Sequence, residues 1–155
     1  MNISMFFKRA VTVSAVGLAS IAGYEGLSTV AYKDPVGIPT ICYGYTEGVF
    51  MGMKRTKEEC VYMLQTEVDK FTEGFLKRYK GPLSQGELDA YVSFVYNVGL
   101  GALDRSTLLK KLKAGDRVGA CNELKKWVYA GGKKLNGLVA RRNAENKMCL
   151  QGLKT

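Results

Sequence analysis

Apolar residues recur at helical spacing over most of the second half of the chain. In "TKEECVYMLQTEVDKFTEGFLKRY", Val61, Leu64, Val68, Phe71, Phe75 and Leu76 fall on one face. Thr56 and Glu59 form a capping box ahead of that run, which predicts a long helix with Gly74 as its weak point and Gly81-Pro82 as its stop. Ser84 and Glu87 repeat the box before "ELDAYVSFVYNVG", apolar enough to be buried all round, with Gly99 suited to follow its last turn. Three further helices follow. "LLKKLKAG" is capped by Ser106 or Thr107, "RVGACNELKKWV" is capped by Asp116, and "LNGLVARRNAENKMCLQG" reads as a basic amphipathic helix after Gly131-Gly132.

The pattern before residue 55 differs. Ala31 to Thr46 reads as strand, turn, strand: Pro35-Val36-Gly37 supplies the turn, and "IPTICYGY" is rich in β-branched and aromatic residues. Gly44, Gly48 and Gly52 extend the loop region. One strand-rich patch at 30–50 beside a helical remainder predicts an α+β fold with a small hairpin lobe and a larger helical lobe. No internal repeat is present, and 155 residues suffice for one domain with a real core.

Composition narrows the chemistry. The chain has no histidine, which removes Ser-His-Asp triads, Cys-His pairs and histidine metal sites. Net charge is +9, and without Lys8 and Arg9 it is +7. Such a field favours polyanions, among them nucleic acid, an anionic cell wall or a membrane surface. The basic residues form no single stripe and match no nucleic-acid-binding motif, so no nucleic-acid partner is expected. "KLKAGDR" and "ARRNAENK" read as solvated faces, and Trp127 and the tyrosines as core or cleft wall. Cys42, Cys60, Cys121 and Cys149 form no CxxC and allow three pairings if oxidised.

Ala10 to Tyr24 carries no charge and follows Lys8 and Arg9. As a helix it would measure about 22 Å, short of the roughly 30 Å hydrocarbon core. It is also weakly apolar, relying on Val11, Val13, Val16, Leu18 and Ile21. Three readings fit. It is a signal peptide cut after Ser20-Ile21-Ala22, a buried helix of the folded domain, or a marginal membrane anchor able to leave the bilayer. Cleavage after Ala22 would leave Glu25 beside a frayed terminus, a poor support for a catalytic group. The basic flank places the N-terminus in the cytoplasm and exports the rest.

Glu25, Asp34 and Thr40 sit in "YEGLSTVAYKDPVGIPTICYGYT". If Glu25 ends a helix and Asp34 occupies the hairpin that follows, two carboxyls face one cleft. Glycoside hydrolysis needs such a pair, one as acid and one ionised. Taken alone, this triplet is compatible with ordinary surface groups.

The same segment closely resembles the active-site segment of phage-type lysozymes, the endolysins of tailed bacteriophages, whose signature is Glu, eight residues, Asp, five residues, Thr. "SFVYNVGLGALDRSTLLKKLKAGD" and "KKWVYAGGKKLNGLVARRNAE" resemble core and cleft segments of the lambdoid branch. The resemblance covers residues 24 to about 152. It implies a lysozyme-like α+β fold with two lobes joined by the long helix. It also implies a peptidoglycan substrate cut between N-acetylmuramic acid and N-acetylglucosamine, with inversion. By resemblance Glu25 is the general acid, Asp34 the second carboxylate and Thr40 the water-positioning hydroxyl, while Asn97 and Thr107 lie in cleft-lining segments. No cofactor or metal is implied, and a monomer is expected.

The N-terminus resembles the signal-anchor-release endolysins. Residues 1–24 are then an uncleaved anchor and N-terminal helix, and 25–155 the catalytic domain. The enzyme is expected first at the host inner membrane, held through residues 10–24, and then free in the periplasm. Tethering would draw Glu25 against the bilayer and hold the enzyme inactive. Local disulfides, 42–60 and 121–149, are expected in the oxidising periplasm, and with no cysteine in the anchor, activation by thiol exchange from it is excluded. The rival expectations are a lytic transglycosylase and a non-catalytic, membrane-tethered wall-binding protein.

Overall fold

The computed structural model describes residues 9–154, so Lys8 lies outside the described residues. An extended stretch leads to α1 (Ala15–Glu25), which begins where Ser14 turns its hydroxyl onto the Gly17 N–H. It ends at Gly26, whose φ of +73° only glycine adopts easily. The helix buries Gly17 and Ile21 against the core and leaves Val16 exposed. Only the later part of the uncharged run is thus helical, because the cap at Ser14 starts the helix late.

Strands β1 (Ser28–Lys33) and β2 (Pro39–Cys42) form an antiparallel hairpin. Tyr32 pairs with Thr40 and Lys33 with Pro39, and the register shifts toward the Ser28–Cys42 end. The turn lies at 34–38, and the first strand starts earlier than its residue pattern suggests. Ile41 and Tyr45 exchange backbone hydrogen bonds of 2.9 Å, folding Gly44 back toward the helical side.

Helix α2 (Lys57–Arg78) carries the expected capping box and runs unbroken for 22 residues, about 33 Å. Gly74 does not weaken it. A β-carbon there would lie 2.4 Å from Leu100 Cδ1, so glycine permits close approach of α4 (Leu100–Asp104). The Cys42–Cys60 disulfide ties the hairpin lobe to the first turn of α2. The second capping box starts α3 (Gln85–Val98), buried from Glu87 to Val95 and central to the helical lobe. Ser106, not Thr107, caps α5 (Thr107–Lys113), and Asp116 caps α6 (Arg117–Glu123).

Three further sequence expectations are corrected. The hairpin lobe is not the only strand-bearing patch, because β3 (Tyr129–Ala130) and β4 (Lys133–Lys134) form a second small hairpin. Gly131 and Gly132, at φ +57° and +77°, make the turn that two-residue hairpins favour. Nor is α7 (Asn136–Gly152) an amphipathic helix with a solvated basic face, because Arg141, Arg142, Glu145 and Asn146 are all buried. Glu145 lies four and three residues after Arg141 and Arg142 and pairs with both inside the protein. In "KLKAGDR", Arg117 likewise reaches inward to the fully buried Glu87, and Lys111 pairs with the buried Glu123. Trp127 packs edge-on against the buried Phe94 at 5.2 Å, at the margin of the core. The Cys121–Cys149 disulfide joins α6 to α7, so both expected pairings are present.

Candidate active site

Glu25 is the last residue of α1, and its side chain is 23% exposed. Oε1 accepts a hydrogen bond from Arg141 Nη1 at 3.2 Å. On the other side, a β-carbon at Gly44 would lie 3.2 Å from Oε2. The carboxyl is therefore held between the last helix and the hairpin lobe, with glycine where any side chain would crowd it.

Arg141 is itself locked. It donates to the Ser93 carbonyl at 2.9 Å and to Glu145 Oε2 at 3.3 Å, and its guanidinium lies 4.7 Å from the centre of the Tyr24 ring. Glu145 also accepts from Ser93 Oγ at 2.6 Å and from Arg142. Arg142 continues to the Trp127 carbonyl at 2.9 Å and to Asn97 Oδ1, with its guanidinium over Phe94 at 5.0 Å. Glu25, Arg141, Glu145 and Arg142 thus form one connected cluster that reaches Asn97. Among the described residues no buried side-chain nitrogen or oxygen lacks a partner, the condition under which buried charge is tolerated.

Burial and the Glu145 charge push the Tyr24 phenol up, against a smaller opposing pull from Arg141. Burial, then Glu25 and Glu67, push Tyr96 up to about 12. Both phenols stay protonated at neutral pH.

Asp34 opens the hairpin turn. Its Oδ1 accepts from the Val36 and Ile38 N–H groups at 3.0 and 2.8 Å, building the turn around the carboxyl. Thr40 is nearly buried on β2, and its hydroxyl donates to the Ile38 carbonyl at 2.9 Å. With the proton so used, Oγ1 keeps lone pairs to accept from a water.

Of the two residues expected to line the cleft, Asn97 joins the Arg142 end of the cluster at the close of α3. Thr107 is exposed at the start of α5 and makes no hydrogen bond to the cluster. Arg141, Glu145 and Tyr24 were not picked out from sequence. The available signal was "RRNAE", which sets a glutamate three and four residues after two arginines.

The family description "Phage lysozyme" matches residues 22–145, from just before Glu25 to Glu145. The chain belongs to the phage lysozyme family. It is a glycoside hydrolase of the muramidase type, a phage endolysin. It is similar to the SAR-endolysin of Enterobacteria phage PA-2, with 38% identity over 152 residues covering 92% of each chain. The solved endolysin from Escherichia coli O157:H7 phage FAHEc1 superposes with a TM-score of 0.82, at 40% identity over 93% of this chain and 96% of that one. The active form of the P1 phage endolysin Lyz gives 0.84, at 26% identity over 91% and 86% of the two chains. The secreted inactive form of the same endolysin gives 0.61, at 23% identity over 91% and 97%. The enzyme's described fold is thus nearer that of the active form.

Proposed function

We propose that this enzyme hydrolyses the β-1,4 bond between N-acetylmuramic acid and N-acetylglucosamine in peptidoglycan, with inversion at the anomeric carbon. Glu25 donates its proton to the glycosidic oxygen as the bond to the anomeric carbon breaks. A water held by Thr40 attacks that carbon from the opposite face and passes a proton to Asp34, which also stabilises the positive charge developing on the sugar. Arg141 steadies the Glu25 carboxylate left behind. The observation that carries this reading is Glu25 fixed between Arg141 and Gly44. Thr40 lies on the strand that leaves the Asp34 turn, and Asn97 is exposed at the end of α3 beside Arg142.

We further propose export with an uncleaved anchor at residues 10–24, which holds the enzyme at the inner membrane until release into the periplasm, where it acts as a monomer. The SAR-endolysin relatives support this reading. Among the described residues no helix is long and apolar enough to cross a membrane, and α1 as folded is about 16 Å long. A spanning form must therefore re-form the helix over other residues and unseat Glu25 from Arg141.

A turbidity assay on Gram-negative murein tests the chemistry. Glu25→Gln should lower the rate by roughly 10²–10⁴-fold, and NMR of the first-formed sugar should show the α anomer. A β anomer would refute inversion, anhydro-muramic products would indicate a transglycosylase, and full activity in Glu25→Gln would remove Glu25 from the mechanism. For the anchor, an intact membrane-bound fraction should clear murein far more slowly than the released enzyme. Equal rates would sink that part of the reading.

A further inference from the structure

The reach of the N-terminal segment into the helical lobe ends on a buried acid that the chemistry does not use. Asp89, on α3, is 4% exposed. Its Oδ1 accepts from the Ser14 backbone N–H at 2.9 Å and from Gln85 Nε2 at 2.9 Å, and its Oδ2 accepts from the Ser14 hydroxyl. Gln85 also donates to the Thr12 carbonyl at 2.8 Å. Ser14 is the residue that caps α1, so one carboxylate grips the helix at its first turn. A negative charge there also suits the helix dipole.

Further contacts orient the same segment. Arg9 donates to the Leu76 and Gly81 carbonyls, both at 3.1 Å, at the C-terminal end of α2. The Ala10 N–H donates to the Leu83 carbonyl at 2.9 Å. Gly17 sits so tightly on Asp89 that a β-carbon would lie 2.6 Å from its Cγ. Asp89 is held from both sides and cannot swing away.

We infer that Asp89 is a positioning residue for Glu25: it receives the Ser14 cap, fixes the tilt and rotation of α1, and so places the carboxyl at the helix's other end. This rests on the reading of Glu25 as general acid. Helix α1 is a lever of about 16 Å, so a tilt of about 4° at Asp89 moves Glu25 by about 1 Å. A misplacement of that size costs on the order of 10²-fold in rate. The contacts at Asp89 form only when residues 9–25 are folded onto the helical lobe, which also makes Asp89 the receptor for the segment once it has left the membrane.

The test uses full-length released enzyme with soluble glycan fragments. Asp89→Ala should lower kcat by ten-fold or more with KM nearly unchanged, and Asp89→Asn, which keeps one acceptor, should recover part of it. Amide exchange should accelerate across 15–25 while 85–98 and 136–152 stay protected. Gly17→Ala gives an independent sign. Alanine is the better helix former, so a helix that merely needs to form would gain, whereas docking on Asp89 predicts a loss of kcat. Wild-type kcat in Asp89→Ala, or unchanged or raised kcat in Gly17→Ala, would overturn the inference. So would uniform loss of protection across the molecule, which marks a general structural role. If Asp89→Ala does not fold, Gly17→Ala decides. Glu25→Gln, run in parallel, separates the two readings, because an active Glu25→Gln removes the general acid itself.

Discussion

Replacing Glu145 by glutamine keeps the shape of the side chain and removes its charge. Glu145 is 1% exposed and is the common partner of Arg141 and Arg142, themselves 6% and 0% exposed. The glutamine would leave Arg142 with no carboxylate partner and Arg141 with Glu25 alone, and would point amide protons at guanidiniums that only donate. Removing one partner from a buried pair costs about 3–5 kcal/mol, a large share of the roughly 5–15 kcal/mol that holds such a domain folded. At about 2–4 °C per kcal/mol for a chain of this size, Tm should fall by roughly 6–20 °C. Calorimetry with the disulfides intact measures this directly. The penalty comes from leaving charge unpaired and not from losing attraction, so changing Arg141, Arg142 and Glu145 together to apolar residues should restore most of the stability while leaving Glu25 without its guanidinium and activity low. A loss below about 1 kcal/mol for Glu145→Gln would refute the account of Glu145 as the carboxylate on which both buried guanidiniums depend.

Other outcomes are equally concrete. Gly44→Ala, at φ +80° and facing Glu25 Oε2, should cost about 1–2 kcal/mol of stability and about 10–100-fold in kcat, read by urea melts and murein turbidity. Opening Cys42–Cys60 or Cys121–Cys149, which close loops of 18 and 28 residues, should cost about 3 kcal/mol each and slightly more for the second, seen as a stepwise fall in Tm for paired Cys→Ala variants. Lys111 and Lys126 hold the Glu123 carboxyl below its usual range by hydrogen bonds of 2.6 and 2.8 Å. The folded value lies below the unfolded one, so this contribution is complete above about pH 4.5 and is lost as pH falls through the folded value. Glu123→Gln should therefore flatten the acid limb of a stability–pH curve and leave its slope near pH 7 unchanged.

Much of this arrangement could be read from local chemistry. The boxes at Thr56/Glu59 and Ser84/Glu87 begin helices because each pairs two backbone donors within four residues, which no tertiary contact needs to arrange. The turn at Asp34 is similarly local. What the sequence concealed depends on partners far along the chain. Arg141 and Arg142 look like solvent-facing charges until Ser93, Trp127 and Glu25 surround them. Gly74 looks like a weak point in a helix until Leu100 fills the space beside it. The strands at 129–134 are two residues each, too short for periodicity to register, and only the Gly-Gly turn hinted at them. Ser14 and Asp89 are 75 residues apart, so the start of α1 could not be set from its own uncharged run.

The pairing of Glu25 with Arg141 spans 116 residues. Synthesis proceeds from the N-terminus at about 5–20 residues per second, so Glu25 emerges roughly 6–23 seconds before the guanidinium that seats it. A chain stalled or truncated before residue 141 carries the whole Glu25, Asp34 and Thr40 segment and still lacks the group that orients its carboxyl. If Glu25 is the general acid proposed above, such an unfinished copy should clear no murein.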